Sequence, residues 1–207
     1  MRPDGRTTLR LLASLALTLL APIAASAATI GTGAYQDGLL LGYDPASHVV
    51  TGYFSMEQGL QPSFSCIFFL KGPLAGSGAA IDTYYPETPA EDRIAGRLTI
   101  EGPKAVLIRL PREHGGCWNV WHFADKDQPA NFTLDKAQPW IAVAVARGPK
   151  TYFYDAPGAA THRKAYVVGG DGLGVRAAQA GWLQVDYVGG ARTISGWVKQ
   201  SDVYPAR

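Results

Sequence analysis

His114, Cys117 and His122 are the residues of this chain whose types and spacing most invite chemistry. A thiolate beside an imidazole is an activated nucleophile, and the same atoms are ligands for zinc. Against that reading stands Cys66, the other of the two cysteines. In a chain exported to an oxidising compartment, an even cysteine count is read as a disulfide. Joined to Cys66, Cys117 is neither nucleophile nor ligand, so the sequence predicts no catalytic residue, no metal and no cofactor here. His114 and His122 are then surface or satisfied core residues. Gly169-Gly170-Asp171-Gly172-Leu173-Gly174 resembles a phosphate cradle in composition. It lacks the Gly-x-Gly-x-x-Gly register, a following helix and the lysine-serine pair of a P-loop, so a hairpin turn is expected. Glu57, Asp82, Glu87, Glu91 and Asp92 could supply the two carboxylates of a glycoside hydrolase, a reaction that needs two at a set separation, which sequence spacing does not show.

Export is read from the N-terminus. Arg2, Arg6 and Arg10 precede an apolar run over 11–24 that is too short to span a membrane comfortably. Ala25-Ser26-Ala27-Ala28 supplies the small residues of a cleavage site, placed after Ala27 with Ala28 as the near alternative. Residues 1–27 are therefore expected to be removed, leaving no membrane anchor and a periplasmic or secreted protein. With the leader go three arginines and Asp4, so 19 basic and 17 acidic side chains become 16 of each, and the formal charge of +2 vanishes. A neutral mature chain gives no support to a nucleic-acid partner. The remaining charge is divided unevenly, with 8 basic and 12 acidic residues over 29–139 and 8 basic and 4 acidic over 140–207. Fields of this size steer charged partners or help two halves dock.

The elements that must position these residues are strands. Twenty-four glycines, 14 prolines and abundant aromatics, spread along the chain, suit short strands joined by tight turns. Over 38–134 about eight strands are expected, including 39–43, 48–56, 79–85, 93–101, 104–110 and 117–123. Asp44-Pro45-Ala46-Ser47 and Glu101-Gly102-Pro103-Lys104 are read as the turns of two hairpins. Phe64, Cys66, Phe68 and Leu70 alternate with Ser63, Ser65, Ile67 and Phe69, which marks a central strand covered on both faces. Closing such a meander into an antiparallel barrel leaves no free edge, which favours a barrel over a sandwich. The stretch 125–139 reads as a connection, dividing a disulfide-bonded barrel over 28–139 from a second all-β unit over 140–207.

The second unit carries the most specific pattern. Tyr152-Phe153-Tyr154-Asp155-Ala156-Pro157 is followed by Lys164-Ala165-Tyr166-Val167-Val168-Gly169, then Gly181-Trp182-Leu183-Gln184-Val185, then Ser195-Gly196-Trp197-Val198-Lys199. This resembles the bacterial SH3-like domain over about 141–204, except that cell-wall-targeting members frequently open on an Asn-Val-Arg pattern. The resemblance implies a small five-stranded barrel that binds cell-wall peptides or protein partners, without catalysis. Gly181 and Gly196 are expected where strands start, and Trp182 and Trp197 in the core. Tyr152, Tyr154, Asp155, Tyr187 and Tyr204 are the candidate ligand contacts, because amphipathic rings beside a loop hold an extended ligand at low entropy cost. A non-enzymatic binding protein for a cell-wall peptide or envelope protein is the first expectation. An inhibitor of lysozyme or another wall hydrolase, and a hydrolase with an SH3-like tail, are the alternatives.

Overall fold

The computed structural model describes residues 29–61, 63–86, 89–190 and 192–205; the leader read over 1–27 lies outside them. The described chain is all-β, and no helix among the described residues is long and apolar enough to cross a membrane. Eight strands form a closed antiparallel meander: β1 (Gly33–Tyr35), β2 (Leu39–Asp44), β3 (Val49–Gln58), β4 (Phe64–Ala75), β5 (Gly78–Tyr84), β6 (Ile94–Ile100), β7 (Ala105–Arg109) and β8 (Ala130–Ala137). β1 pairs with both β2 and β8, which closes the barrel. The two expected turns are present: Asp44 accepts from the Ala46 amide and the Ser47 hydroxyl, and the Glu101 amide donates to the Ala105 carbonyl.

The expected strand over 117–123 is not formed. Gly116 has a left-handed φ of 83° and sends the chain into a 3-10 turn at Cys117–Asn119, where Cys117 is bonded to Cys66 of β4. The eighth strand instead comes from 130–137, within the stretch read as a connection. The sparse aliphatics there conceal a period-two pattern in which Ala130 and Phe132 are buried and the residues between are exposed.

The loop between β7 and β8 folds back as a plug. Phe123, fully buried, meets Phe54 and Phe68 edge-on with centroids 5.0 and 4.9 Å away, and stacks on Phe132. Glu113 holds the plug by accepting from the Phe123 and Ala124 amides at 2.8 Å each. Side chains therefore fill the barrel, with Leu39, Leu41, Leu70, Leu98 and Ile108 completing its interior.

The second sheet has the order β14-β13-β12-β9-β15, with β9 (Ala142–Ala146), β12 (Gly172–Gln179), β13 (Trp182–Gly189), β14 (Arg192–Lys199) and β15 (Val203–Pro205). A two-stranded ladder, β10 (Thr151–Tyr152) with β11 (Tyr166–Val167), stands beside it. Its core gathers Ala144, Phe153, Leu173, Val175, Leu183, Val185 and Val198. Trp182 and Trp197 are not in that core. They alternate with Leu183 and Val198, so they occupy the other face and stay partly exposed. The deeply buried tryptophan is Trp140, whose indole Nε1 donates to Asp186 at 2.9 Å, while Ser195 donates to the other carboxylate oxygen at 2.6 Å. Gly181 is in a tight turn with φ 81°, as its type suggests, whereas Gly196 lies inside β14 and not at its start.

The barrel and the second sheet share an apolar junction. Tyr53, Phe69 and Tyr84 on the outer face of the barrel pack with Val143 and Val145 of β9, whose alternate residues Ala144 and Ala146 face the second core. The Val143 amide donates to Thr51 Oγ1 at 3.1 Å, the Tyr43 amide to the Trp140 carbonyl at 3.0 Å, and the Tyr53 hydroxyl to the Gly170 carbonyl at 3.0 Å. The glycine-rich run 169–174 is explained here. It is a turn, but not a hairpin, since β11 and β12 belong to different sheets. A Cβ on Gly172 would meet Leu40 and Tyr53, and one on Gly174 would fall inside the Trp140 ring.

Gly174→Ala is expected to lower stability by about 3 kcal/mol through overpacking, while Gly148→Ala, where a Cβ meets open space, stays within about 0.5 kcal/mol. Thermal melts of both variants check this. Opening the Cys66–Cys117 bridge, which spans a separation of 51 residues, is expected to cost about 4 kcal/mol in the chain-entropy account. Urea titration with and without reductant measures it.

Candidate binding surface

Surface side chains of the two-stranded ladder, the segment after β10 and β13 form a row of five rings. Tyr166 meets Tyr152 at 5.6 Å between centroids, Tyr152 stacks on His162 at 3.8 Å, His162 meets Tyr154 at 6.1 Å, and Tyr154 meets Trp182 edge-on at 4.9 Å. Lysines lie at both ends: the Lys150 ammonium sits 4.8 Å over Tyr166, and Lys199 lies 5.7 Å from Tyr154 and 6.0 Å from Trp182. A shallow depression lined by Gly181, Trp182, Lys199, Gln200 and Ser201 opens at the Trp182 end.

Local structure fixes the row. Tyr154 exchanges both backbone hydrogen bonds with Trp197, at 2.8 and 3.0 Å, which ties the segment after β10 to β14. Gly196 permits this approach, since a Cβ there would crowd Phe153 and the Tyr154 carbonyl. Arg163 pairs with Asp155 at 2.7 Å and donates to the Ser195 carbonyl at 2.7 Å, pinning the loop from Asp155 back to the sheet. The His162 Nδ1–H donates to the Arg163 carbonyl at 2.7 Å, which sets the plane that Tyr152 stacks on.

Of the five candidate residues, Tyr152, Tyr154 and Asp155 come together here. Tyr152 and Tyr154 are two of the rings, and Asp155, its side chain largely exposed, pairs with Arg163. Tyr204 belongs to the junction, packed on its apolar cluster with the Arg147 guanidinium 4.7 Å over its ring. Tyr187 packs against the second core beside Asp171, where burial and that carboxylate raise its pKa. His162, Tyr166, Trp182 and the two lysines were not singled out as contacts from sequence. The available signal was the parity of Trp182 against Leu183, which puts the indole on the face opposite the core.

The other cluster resolves differently. Cys117 is bonded to Cys66, and among the described residues no three His, Cys, Asp or Glu side chains could jointly hold a metal. Glu87 lies outside the described residues. His114 is buried, stacked on Phe68 at 4.9 Å, with Nε2 2.7 Å from Thr83 Oγ1. The Thr83 hydroxyl proton goes to the Ile94 carbonyl, so Nε2–H of His114 is the donor in that contact. Burial, with Arg112 nearby, lowers the His114 pKa to about 4. His122 stands apart, edge-on to the exposed Trp118.

Comparison with known protein families, curated proteins and solved structures finds no match to this chain.

The depressed His114 pKa has a defined consequence for stability. Below the usual 6.5 the unfolded chain takes up a proton that the folded chain refuses until about pH 4. Stability present above pH 6.5 is therefore lost between those values, by up to about 3 kcal/mol. His114→Gln is expected to flatten the difference in unfolding free energy between pH 7 and pH 4.5, read from denaturant titrations of both proteins.

Proposed function

We propose that the protein is exported and acts in the cell envelope as a binding protein, its second sheet an SH3-like module that holds an extended, carboxylate-bearing chain. Peptidoglycan stem peptides are the ligand class. The observation that carries this reading is the row of rings from Tyr166 to Trp182 with Lys150 and Lys199 at its ends. Aromatic faces grip the apolar parts of an extended chain with little ordering cost, and flanking ammonium groups favour ligands with terminal and side-chain carboxylates. The Cys66–Cys117 disulfide is consistent with an oxidising compartment, and the leader read at 1–27 accounts for how the chain would reach one. The aromatic-filled barrel directs attention to the outside of the molecule.

Full mature chain is expected to co-sediment with purified peptidoglycan sacculi at low salt. Tyr154→Ala and Trp182→Ala should each weaken pelleting by about tenfold, the ordinary effect of losing an aromatic anchor. Lys150→Glu and Lys199→Glu should weaken it most at low ionic strength, where charge contributes most. No pelleting of the unaltered chain would remove the wall ligand and leave an envelope protein as the partner to seek.

A further inference from the structure

A second surface lies at one end of the barrel. Because the barrel is an up-and-down meander, the β3–β4, β5–β6 and β7–β8 loops all emerge at the same end. Three of the large apolar side chains left in solvent are there: Leu60 at 97% exposure, Trp118 at 68% and Phe64 at 39%. The loops that carry them are tied together. Phe64 pairs with Gln58 across the β3–β4 hairpin that carries Leu60. The Gln58 amide, with its nitrogen toward the β7–β8 loop, donates to the Asn119 and Val120 carbonyls at 3.1 and 3.2 Å. Gly116 abuts the Ser65 carbonyl, and the disulfide ties Cys117, next to Trp118, to Cys66.

This end is also where much of the barrel's acidity is found. Glu57, Glu91, Asp92, Asp125 and Asp127 stand in or beside these loops, while Glu113 is engaged with the plug. Their basic counterparts are Arg93, Arg109, Arg112 and Lys126. Arg109 donates to the Asp125 and Lys126 carbonyls at the surface, and Arg93 lies over Tyr84. Large apolar side chains in water, grouped and ringed by polar groups, mark an interaction site, and an exposed indole on a braced loop is the usual anchor of one. The disulfide and the buried plug supply the rigidity that lowers the ordering cost of binding. The excess of carboxylates selects a cationic partner.

We propose that this rim docks a cationic wall hydrolase, Trp118 entering the substrate cleft and the carboxylates lying against its basic surround, so that the protein restrains that enzyme. The choice of a wall enzyme rests on the envelope location in the reading above; the surface itself is separate from the aromatic row.

Titration calorimetry of the full mature chain with egg-white lysozyme, a cationic muramidase, is the test, together with the clearing rate of a cell-wall suspension. A saturable complex that slows clearing is expected. Trp118→Ala and Leu60→Ser should each weaken it by about tenfold or more, and raising the salt should weaken it further. Both side chains are largely exposed, so melts of the variants should match the parent. Tyr154→Ala should leave this complex unchanged while reducing binding to sacculi, which separates the two surfaces. If lysozyme gives no saturable heat at tens of micromolar, the proposal is overturned. It is equally overturned if the complex ignores both rim substitutions, or if cytochrome c, cationic but without such a cleft, binds as tightly.

Discussion

The backbone of β9 lies directly on the outside of the barrel, and most of the molecule's organisation follows from that approach. A Cβ on Gly42 of β2 would come within 2.6–2.7 Å of the Ala142 main chain, so the two backbones meet with no side chain between them. At this distance apolar surface on both sides is removed from water and main-chain groups must find partners across the junction. The Val143 amide donates to Thr51 Oγ1, the Tyr43 amide to the Trp140 carbonyl, and the Gly170 carbonyl accepts from the Tyr53 hydroxyl. Leaving any one unpaired and buried would cost on the order of 1–3 kcal/mol. The barrel's apolar outer patch of Tyr53, Phe69 and Tyr84 would otherwise face water, and the second sheet would be a small unit with a core dominated by alanine, valine and a few larger residues. Each half supplies the cover that the other lacks.

Trp140 makes the same point at the level of one side chain. It sits in the connection between barrel and sheet, yet its ring rests against the backbone of Gly174 and its nitrogen is held by Asp186 of β13. Asp186 is itself buried, and its two oxygens are occupied by Trp140 and Ser195, with Arg176 3.8 Å away. A buried carboxylate with both oxygens engaged is tolerable, and it specifies the docking angle in a way that apolar contacts alone would not.

With the barrel interior filled by aromatic and aliphatic side chains, the two proposed binding surfaces both lie on the outside of the molecule. One is a row of rings and lysines along the two-stranded ladder and the adjoining edge of the second sheet, kept in line by the Tyr154–Trp197 bridge and the Arg163 clamp. The other is an apolar, acidic rim braced by the disulfide. In both cases hydrogen bonds and packing behind the surface hold the exposed rings in place.

Period-two alternation and turn chemistry sufficed to read the all-β class, the eight-stranded barrel, its turns at Asp44 and Glu101 and the cysteine pairing, because these are consequences of local pattern and of a count of two. The double coverage of β4 was likewise legible in Ile67 and Phe69. What covers them was not, since that depends on β9, more than seventy residues further along the chain. The eighth strand was misplaced because the segment 117–123 has strand-like composition, whereas Gly116 and the disulfide turn it into a plug. Ring size points Trp182 and Trp197 to the core, whereas their parity against Leu183 and Val198 puts them on the other face. The glycines at 172 and 174 resembled a loop for the same reason: a missing side chain means nothing until the atoms occupying its place are known. Residue type and spacing determine what a segment can form, while the neighbour that claims each face comes from distant chain and is decided only when the whole structure closes.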